Sequence, residues 1–330
     1  MRLNPMVMNC RSLHVLDVQG CPLGCILSGM TPDTATVIAT YSRRMRLRLA
    51  NGDQVDARIK GKRIKPVCGD RVQAEPINNE SDWLITAIAE RDNELTRPNM
   101  RGQVEVLAAN LDYLVVVAAA EPKADWYIVD RYLCAAELMG IGAAVVYNKI
   151  DLESDASSTA EELASYADIG YDVVRCSAAL GEGTDEVARV LKGRCAIIVG
   201  QSGVGKSSII NHLVGDSKQR TSALSDKTGE GRHTTVNSVM ITLPNGGSVI
   251  DSPGVRDYAP ALESSAVAAQ GFKEITAAAQ HCKFANCRHL REPGCAVKAG
   301  VDNGTIIVRR YESYKRVMNL TDQLSDGRYQ

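Results

Sequence analysis

Between about Thr31 and Ala89, apolar and polar residues alternate over short runs broken by turn residues. In Arg44 to Leu49, Met45, Leu47 and Leu49 lie on one face and Arg44, Arg46 and Arg48 on the other. A period of two predicts a strand with one buried and one wet face. Asn51-Gly52 predicts a two-residue hairpin turn. Val55, Ala57 and Ile59 then resume the apolar face, opposite Gln54, Asp56, Arg58 and Lys60. Short antiparallel strands of this kind predict a small barrel.

From Leu111 to about Asp257 the texture changes. Leu111 to Ala120, Ala143 to Tyr147, Val173 to Ser177, Cys195 to Gly200 and Val249 to Asp251 are nearly continuously apolar. Helical patterns separate most of them, over Trp126 to Met139, Thr159 to Ala167 and Lys206 to Val214. Apolar strands alternating with helices predict a parallel sheet covered on both faces. From about Gly271 the chain reads as mostly helical, ending in an amphipathic helix over Ile306 to Leu324. No internal repeat is present.

A length of 330 residues fits two or three domains. A net charge of −1 means that any contact with nucleic acid rests on local patches. No stretch is apolar and long enough to span a bilayer, and Met1 to Gly20 lacks the layout of a secretion signal. Of the ten cysteines, most are scattered and several sit in strand-like runs, as small core residues do. Only Cys282, Cys287 and Cys295 cluster, with His289 among them. That usage predicts a reducing compartment, the cytoplasm, and one metal site. Three thiolates and one imidazole match the soft, four-coordinate donor set of a structural Zn²⁺. His281 is the alternative imidazole, but its adjacency to Cys282 makes tetrahedral closure awkward.

Gly200-Gln201-Ser202-Gly203-Val204-Gly205-Lys206-Ser207 matches the phosphate-binding loop in full. It follows a predicted strand and, with Ser208, opens a helix, whose N-terminus favours anions. Lys206 is expected to reach the β- and γ-phosphates, and the Ser207 hydroxyl to bind Mg²⁺. Asn148-Lys149-Ile150-Asp151 selects the base: a carboxylate at Asp151 accepts the donor pair of guanine, which adenine lacks. Asn148 is expected on the other edge of the ring, with the Lys149 stem along it. Ser177-Ala178-Ala179 is expected to offer a backbone N–H to the guanine O6. Asp251-Ser252-Pro253-Gly254 completes the set, with Asp251 holding Mg²⁺ through water and the Gly254 N–H sensing the γ-phosphate.

Between them lies Gly231-Arg232-His233-Thr234-Thr235, the expected switch segment. Thr234 or Thr235 closes on Mg²⁺, with Thr234 favoured. Val255 stands where many GTPases carry a water-orienting Gln, so slow unaided turnover is expected. His233 is the internal candidate for orienting water.

These motifs resemble those of translation-factor-related GTPases, but in rotated order: the base motifs precede the phosphate loop, and none follows Asp251. The chain is therefore read as a circularly permuted GTPase whose C-terminal block is tied directly to the Asp251 segment. With Gly69-Asp70-Arg71-Val72 in the barrel and the Cys/His cluster, it resembles the ribosome small-subunit-dependent GTPase A family, also called RsgA or YjeQ. The resemblance covers about Thr31 to the C-terminus. It implies an OB-fold barrel at 31–95, a permuted α/β P-loop GTPase domain at 104–270 and a zinc-binding domain at 271–330; residues 1–30 stay unassigned. It also implies a late maturation factor of the 30S subunit whose hydrolysis the subunit stimulates, and a catalytic role for His233.

A monomer that binds 16S rRNA, GTP and GDP, with Zn²⁺ and Mg²⁺, is the resulting expectation. Arg44, Arg46, Arg48, Arg58, Lys60, Lys62, Arg63 and Lys65 load the barrel with cations suited to RNA. Arg309, Arg310, Lys315 and Arg316, interleaved with Tyr311 and Tyr314, suggest a second RNA surface. The rival readings are a GTPase acting on the large subunit, an RNA-binding scaffold with structural nucleotide, and an ATP-dependent kinase; Asn148 to Asp151 disfavours the last.

Overall fold

A computed structural model describes residues 33–41, 44–61, 64–98, 103–154, 156–215, 236–252 and 265–326. Strands β1 (Asp33–Tyr41), β2 (Met45–Leu49), β3 (Gln54–Ile59), β4 (Arg71–Pro76) and β5 (Trp83–Ile88) form a barrel, closed in the order β1-β2-β3-β5-β4-β1. The alternation seen in sequence fills its interior: Val37, Leu47, Ala57, Ala74 and Ile85 are all 0% exposed. The β2–β3 turn differs from the expectation. Leu49 N–H bonds to Asp53 O and Gly52 N–H to Leu49 O, with Gly52 at φ 91°. The loop thus has three residues ending in a glycine bulge, because Asn51 Oδ1 accepts the Asp53 N–H at 2.9 Å and folds the chain one residue later.

Strands β6 (Glu94–Pro98) and β7 (Val104–Ala109) form a hairpin that sequence reading did not single out. The α/β module follows: β8 (Tyr113–Ala119), α1 (Trp126–Met139), β9 (Gly142–Asn148), α2 (Ala156–Ile169), β10 (Asp172–Arg175), α3 (Thr184–Val190), β11 (Cys195–Gly200), α4 (Lys206–Val214), β12 (Val236–Thr242) and β13 (Ser248–Asp251). The strand order is β10-β9-β8-β11-β13-β12, parallel except for β12. Apolar side chains of β8 and β11 alternate between two cores, one on each face, which is why these strands read as continuous apolar runs. The chain winds outward from β8 to β10 and then returns to lay β11 beside β8. That reversal is the switch point at which open α/β sheets bind ligands.

Strand β12 joins barrel and α/β sheet into one ladder, pairing with β1 at Ala39↔Val239 and Thr40↔Ser238. A bulge interrupts the β1–β2 register between Val37 and Ala39. Val37 points into the barrel core, whereas its neighbour Ile38 points into the core of the α/β module.

The C-terminal part comprises a 3₁₀ segment (Ser265–Gly271), α5 (Lys273–Ala279), α6 (Ala296–Asp302) and α7 (Val308–Asp326). Phe272, Ile275, Val297, Tyr314, Val317 and Met318 pack with Cys134 of α1. A Cβ on Gly271 would lie 2.2 Å from Cys134 Sγ, so the approach demands glycine there.

Here the structure corrects the second RNA surface. Arg310 is 0% exposed, Tyr314 1% and Tyr311 8%. Arg310 makes paired bonds to Glu274, at 2.7 and 3.0 Å, and one to Asp130 Oδ1 at 3.0 Å. Arg309 bonds Asp130 and, at 2.9 Å, Glu162. Tyr166 and Ser313 hydroxyls complete the shell of the fully buried Asp130. Lys315 pairs with Glu312, and the Arg316 guanidinium lies 3.5 Å from the Tyr127 ring centroid. These groups fasten α7 to α1, α2 and α5. The cause is helical spacing: Arg310, Tyr314, Val317 and Thr321 share the buried stripe of α7.

The remaining described cysteines, Cys68, Cys134, Cys176 and Cys195, are free thiols. Burial pushes Cys134 up to about 12 and Cys176 up to about 11, so neither is a ready thiolate. No helix among the described residues is long and apolar enough to cross a membrane.

Candidate guanine-nucleotide site and metal centre

The phosphate loop leaves β11 at the carboxyl edge of the sheet. Gly200 sits at φ 135°, and a Cβ there would lie 2.2 Å from Val117 O of the adjacent β8. Gly205, at φ 94°, is equally constrained: a Cβ would lie 2.3 Å from Asn148 Nδ2. Val204 is 0% exposed and anchors the loop in the core. Lys206 Nζ donates to the carbonyls of Gly200 and Gln201, at 2.7 and 2.6 Å, which holds the ammonium inside the loop. Gly205 is the N-cap of α4 and, lacking a side chain, supplies no side-chain cap to the first turn. Ser207 and Ser208 stand exposed on that turn, as do Ser202 and Gly203 in the loop. The Gln201 side chain accepts the Asp125 N–H at 3.2 Å and so ties the loop to the start of α1.

The base motif ends β9, two strands from β11. Asn148 is 1% exposed. Its Nδ2 donates to Val204 O at 2.9 Å, and its Oδ1 accepts the Ala178 N–H at 3.0 Å. One buried amide therefore joins the phosphate loop, the Asn-Lys-x-Asp turn and the Ser177-Ala178 turn. Sequence reading put Asn148 on the base and an N–H of the Ser177 turn on O6; in this structure the amide and the Ala178 N–H engage each other. Lys149 adopts φ 60°, and its Nζ reaches Gly203 O at 2.8 Å, laying its stem between the two loops. Asp151 follows in a short 3₁₀ turn (Ile150–Leu152) with its side chain exposed. Ser177 is fully buried and accepts the Leu180 N–H through Oγ at 3.2 Å, closing its own turn.

Asp251 ends β13, the parallel neighbour of β11, and so emerges at the same edge as Gly200. Ser252 is buried and shares a 2.9 Å hydrogen bond with Ser238 on β12. Parallel strand neighbours bring the three motifs to one edge of the sheet. His233, Thr234, Thr235, Gly254 and Val255, with Lys62 and Arg63 and the segment 1–30, lie outside the described residues.

The ligand atoms of Cys282, Cys287, His289 and Cys295 all lie within 4.8 Å of one another. His289 Nδ1 is 3.5 Å from Cys282 Sγ and 3.6 Å from Cys295 Sγ, and those two sulfurs are 4.0 Å apart. A tetrahedron with Zn–S of about 2.3 Å and Zn–N of about 2.0–2.1 Å has edges of roughly 3.5–3.8 Å. The donor set fits such an ion. His289, 3% exposed, is the imidazole in the cluster, whereas His281 is exposed. The Tyr311 hydroxyl bonds to His289 O, and the Tyr314 hydroxyl to Arg288 O at 2.8 Å.

Glu292 was missed in sequence. Its carboxylate accepts the N–H groups of Arg288, Leu290 and Arg291 at 2.8–3.0 Å, and backbone donors, its own N–H among them, hold it down at about 2. A Glu-Pro-Gly run between two ligands was its only signal.

Among the barrel cations, Arg44 and Arg58 pair with Asp82, Arg58 also with Glu80, and Arg46 with Asp56. Arg48 reaches over to β12, donating to Thr242 Oγ1 at 3.2 Å. Lys60 is exposed.

The family model described as RsgA GTPase matches residues 88–260. The chain belongs to the RsgA family. Similar members include the small ribosomal subunit biogenesis GTPase RsgA of Photorhabdus laumondii, 36% identical over 302 residues, which span 89% of this chain and 86% of that one. The protein of the same name from Azotobacter vinelandii is 41% identical over 254 residues, 76% of this chain and 74% of that one. Among solved structures, YjeQ from Thermotoga maritima superposes with a TM-score of 0.70 at 29% identity, covering 88% of this chain and 98% of that one. YloQ, described as a circularly permuted GTPase, gives 0.68 at 24% identity, over 91% of this chain and 98% of that one, and supports the fold. As an RsgA-family protein the chain is a GTP hydrolase with a permuted GTPase fold, an OB-type barrel and a helical C-terminal part.

Proposed function

We propose that this chain is a GTPase of small ribosomal subunit maturation, acting in the cytoplasm as a monomer on the 30S subunit and its 16S rRNA. The observation that carries the reading is the Asn148 side chain, whose two bonds join the base-motif turns to the phosphate loop, as a site for one nucleotide requires. The names of the relatives, small ribosomal subunit biogenesis GTPases, supply the particle.

In this reading Asp151 accepts the guanine donors, Lys149 flanks the ring, and Lys206 with the loop amides holds the β- and γ-phosphates. Ser207, Asp251 and Thr234 or Thr235 would hold Mg²⁺, which neutralises charge on the phosphate oxygens. His233 orients the attacking water, since Val255 has no group to do so. The Cys/His cluster would hold Zn²⁺ as a structural ion. The working division is a barrel at 31–95, a GTPase domain at 104–270 and a zinc domain at 271–330, with rRNA contacts drawn from Arg44, Arg46, Arg48, Arg58, Lys60, Lys62 and Arg63. Because the chain runs from the Asp251 segment into the C-terminal part with no base motif between, nucleotide state sets how that part is held, and hydrolysis releases the particle.

GTP turnover is measured alone, with purified 30S subunits and with 50S subunits. Strong stimulation by 30S alone is expected. Equal turnover in all three overturns the assignment, and stimulation by 50S alone transfers it to the large subunit.

A further inference from the structure

Asp151, the expected reader of the base, sits in the short 3₁₀ turn after β9, and among the described residues no group holds its carboxylate. Its aim is therefore set by the backbone of that turn and by the contacts that fix the turn in place. Leu152 N–H bonds to Lys149 O at 2.9 Å and Glu153 N–H to Ile150 O at 3.2 Å, which coils the segment on itself. Ile150 N–H donates to Cys176 O at 3.3 Å and Cys176 N–H to Tyr147 O at 2.8 Å, which lays it beside the end of β10.

One side-chain pair also crosses between these segments. Arg175, the last residue of β10, donates through Nη2 to Glu153 Oε2. Glu153 stands two residues after Asp151, and Arg175 two residues before Ser177. The two ends are unequal: the Glu153 side chain is 6% exposed and that of Arg175 39%. A carboxylate withdrawn from water needs a cation, so this pair is more constrained than the exposed Arg189–Glu186 pair, which lies within one helix turn. The Ser177 turn in its own right closes on the Arg175 backbone: a Cβ at Gly183, φ 70°, would lie 2.2 Å from Arg175 O. The two base turns are thus joined twice by side chains, through Asn148 Oδ1 with the Ala178 N–H at 3.0 Å and through Glu153 with Arg175. Asn148 also bonds the phosphate loop, whereas the Glu153–Arg175 bond lies wholly between the base turns.

We propose that Glu153 and Arg175 are positioning residues for guanine recognition: their bond fixes the turn that carries Asp151 against the Ser177 turn, so that the Asp151 carboxylate meets both the N1 and the N2 donors of the base. A carboxylate that takes two donors tolerates less misalignment than one that takes a single donor. The discriminating comparison is therefore guanine against hypoxanthine, which keeps the N1 donor and lacks the 2-amino group. A pair that merely stabilised the fold would affect nucleotides of both bases equally. The inference deepens the proposed site and rests on the reading that Asp151 holds the base.

The test titrates full-length, zinc-loaded protein with GDP and with inosine diphosphate by calorimetry. Glu153→Gln and Arg175→Ala are each expected to weaken GDP by about 5- to 20-fold and inosine diphosphate by about 2-fold or less, so the preference between them falls. Arg175→Lys, which keeps a cation facing Glu153, should hold GDP within about 2-fold of the parent. The double variant should be no weaker than either single one, because both remove the same bond. Far-UV spectra and zinc content verify folding; if Glu153→Gln fails to fold, Arg175→Ala, at the more exposed end, carries the same comparison. An unchanged preference in Arg175→Ala, or equal losses for the two nucleotides, overturns the proposal. Asp151→Ala separates this inference from the reading beneath it. A preference that falls in Asp151→Ala but not in Arg175→Ala defeats the pair alone, and one that Asp151→Ala leaves intact defeats the base assignment and the pair with it.

Discussion

Replacing Asp130 by alanine tests the claim that a buried charge cluster holds the C-terminal helix. Asp130 is fully buried and receives four donors, from Tyr166, Arg309, Arg310 and Ser313. Its removal leaves Arg310, itself 0% exposed, to the Glu274 pair alone, and strips two hydroxyls of their acceptor. Breaking a buried ion pair from one side costs about 3–5 kcal/mol, because the remaining charge stays desolvated. Taking about 2–4 °C per kcal/mol for a module of this size, Asp130→Ala should lower the melting temperature by about 6–20 °C. Trp126, which stacks on Tyr147 at 6.2 Å and lies 5.9 Å from Tyr166, places an emission probe beside the cluster. The assay is thermal unfolding followed by tryptophan emission in zinc-loaded protein, with Trp83→Phe as the parent. Arg189→Ala, which removes an exposed pair with Glu186, is the control and should leave the midpoint unmoved. A shift for Asp130→Ala no larger than that of the control refutes the clamp.

Gly205→Ala should abolish binding of fluorescent GDP while the far-UV spectrum stays native, because its Cβ would strike Asn148 Nδ2 at 2.3 Å in a backbone conformation alanine disfavours. Asn148→Ala removes two buried hydrogen bonds at about 1 kcal/mol each and should weaken the same nucleotide by about 10- to 100-fold in direct titration. Stripping metal with a strong chelator, or Cys295→Ser, should release one zinc ion per chain by elemental analysis and expose Tyr311 and Tyr314 to quenchers, since those hydroxyls bond to the ligand loop. Glu292 has a folded value near 2 against an ordinary value of 4.5, so the stability it contributes is present above about pH 4.5 and is lost as pH falls through 2. Urea midpoints of the parent and Glu292→Gln should therefore differ at pH 6 and converge towards pH 2.

Periodicity carried much of the architecture. Trp126–Met139, Cys195–Gly200 and Lys206–Val214 were legible because each combines an unbroken apolar pattern with a local stop: Asp125 caps α1, and glycines bound the phosphate loop. The donor set at Cys282, Cys287, His289 and Cys295 was legible for a similar reason, since all four ligands fall within one short segment. Spacing along the chain stands in for distance when the intervening loop is short.

What spacing could not show is which distant surfaces meet. The pairing of β1 with β12 depends on residues about two hundred apart, and on Ile38, opposite to Val37 on the strand, finding the α/β core rather than solvent. Arg309 and Arg310 looked like a basic patch because sequence records charge but not its partners; Asp130, some 180 residues earlier, turned them into a buried joint. Asn148 was legible as part of the base motif, but that its amide also meets Val204 O and the Ala178 N–H followed only from the packing of β9 two strands from β11. Local pattern decides which elements form, because it depends on neighbours in the chain. Partners of buried polar groups are decided by the tertiary fold, because desolvation makes each such group take whatever the packing brings within reach.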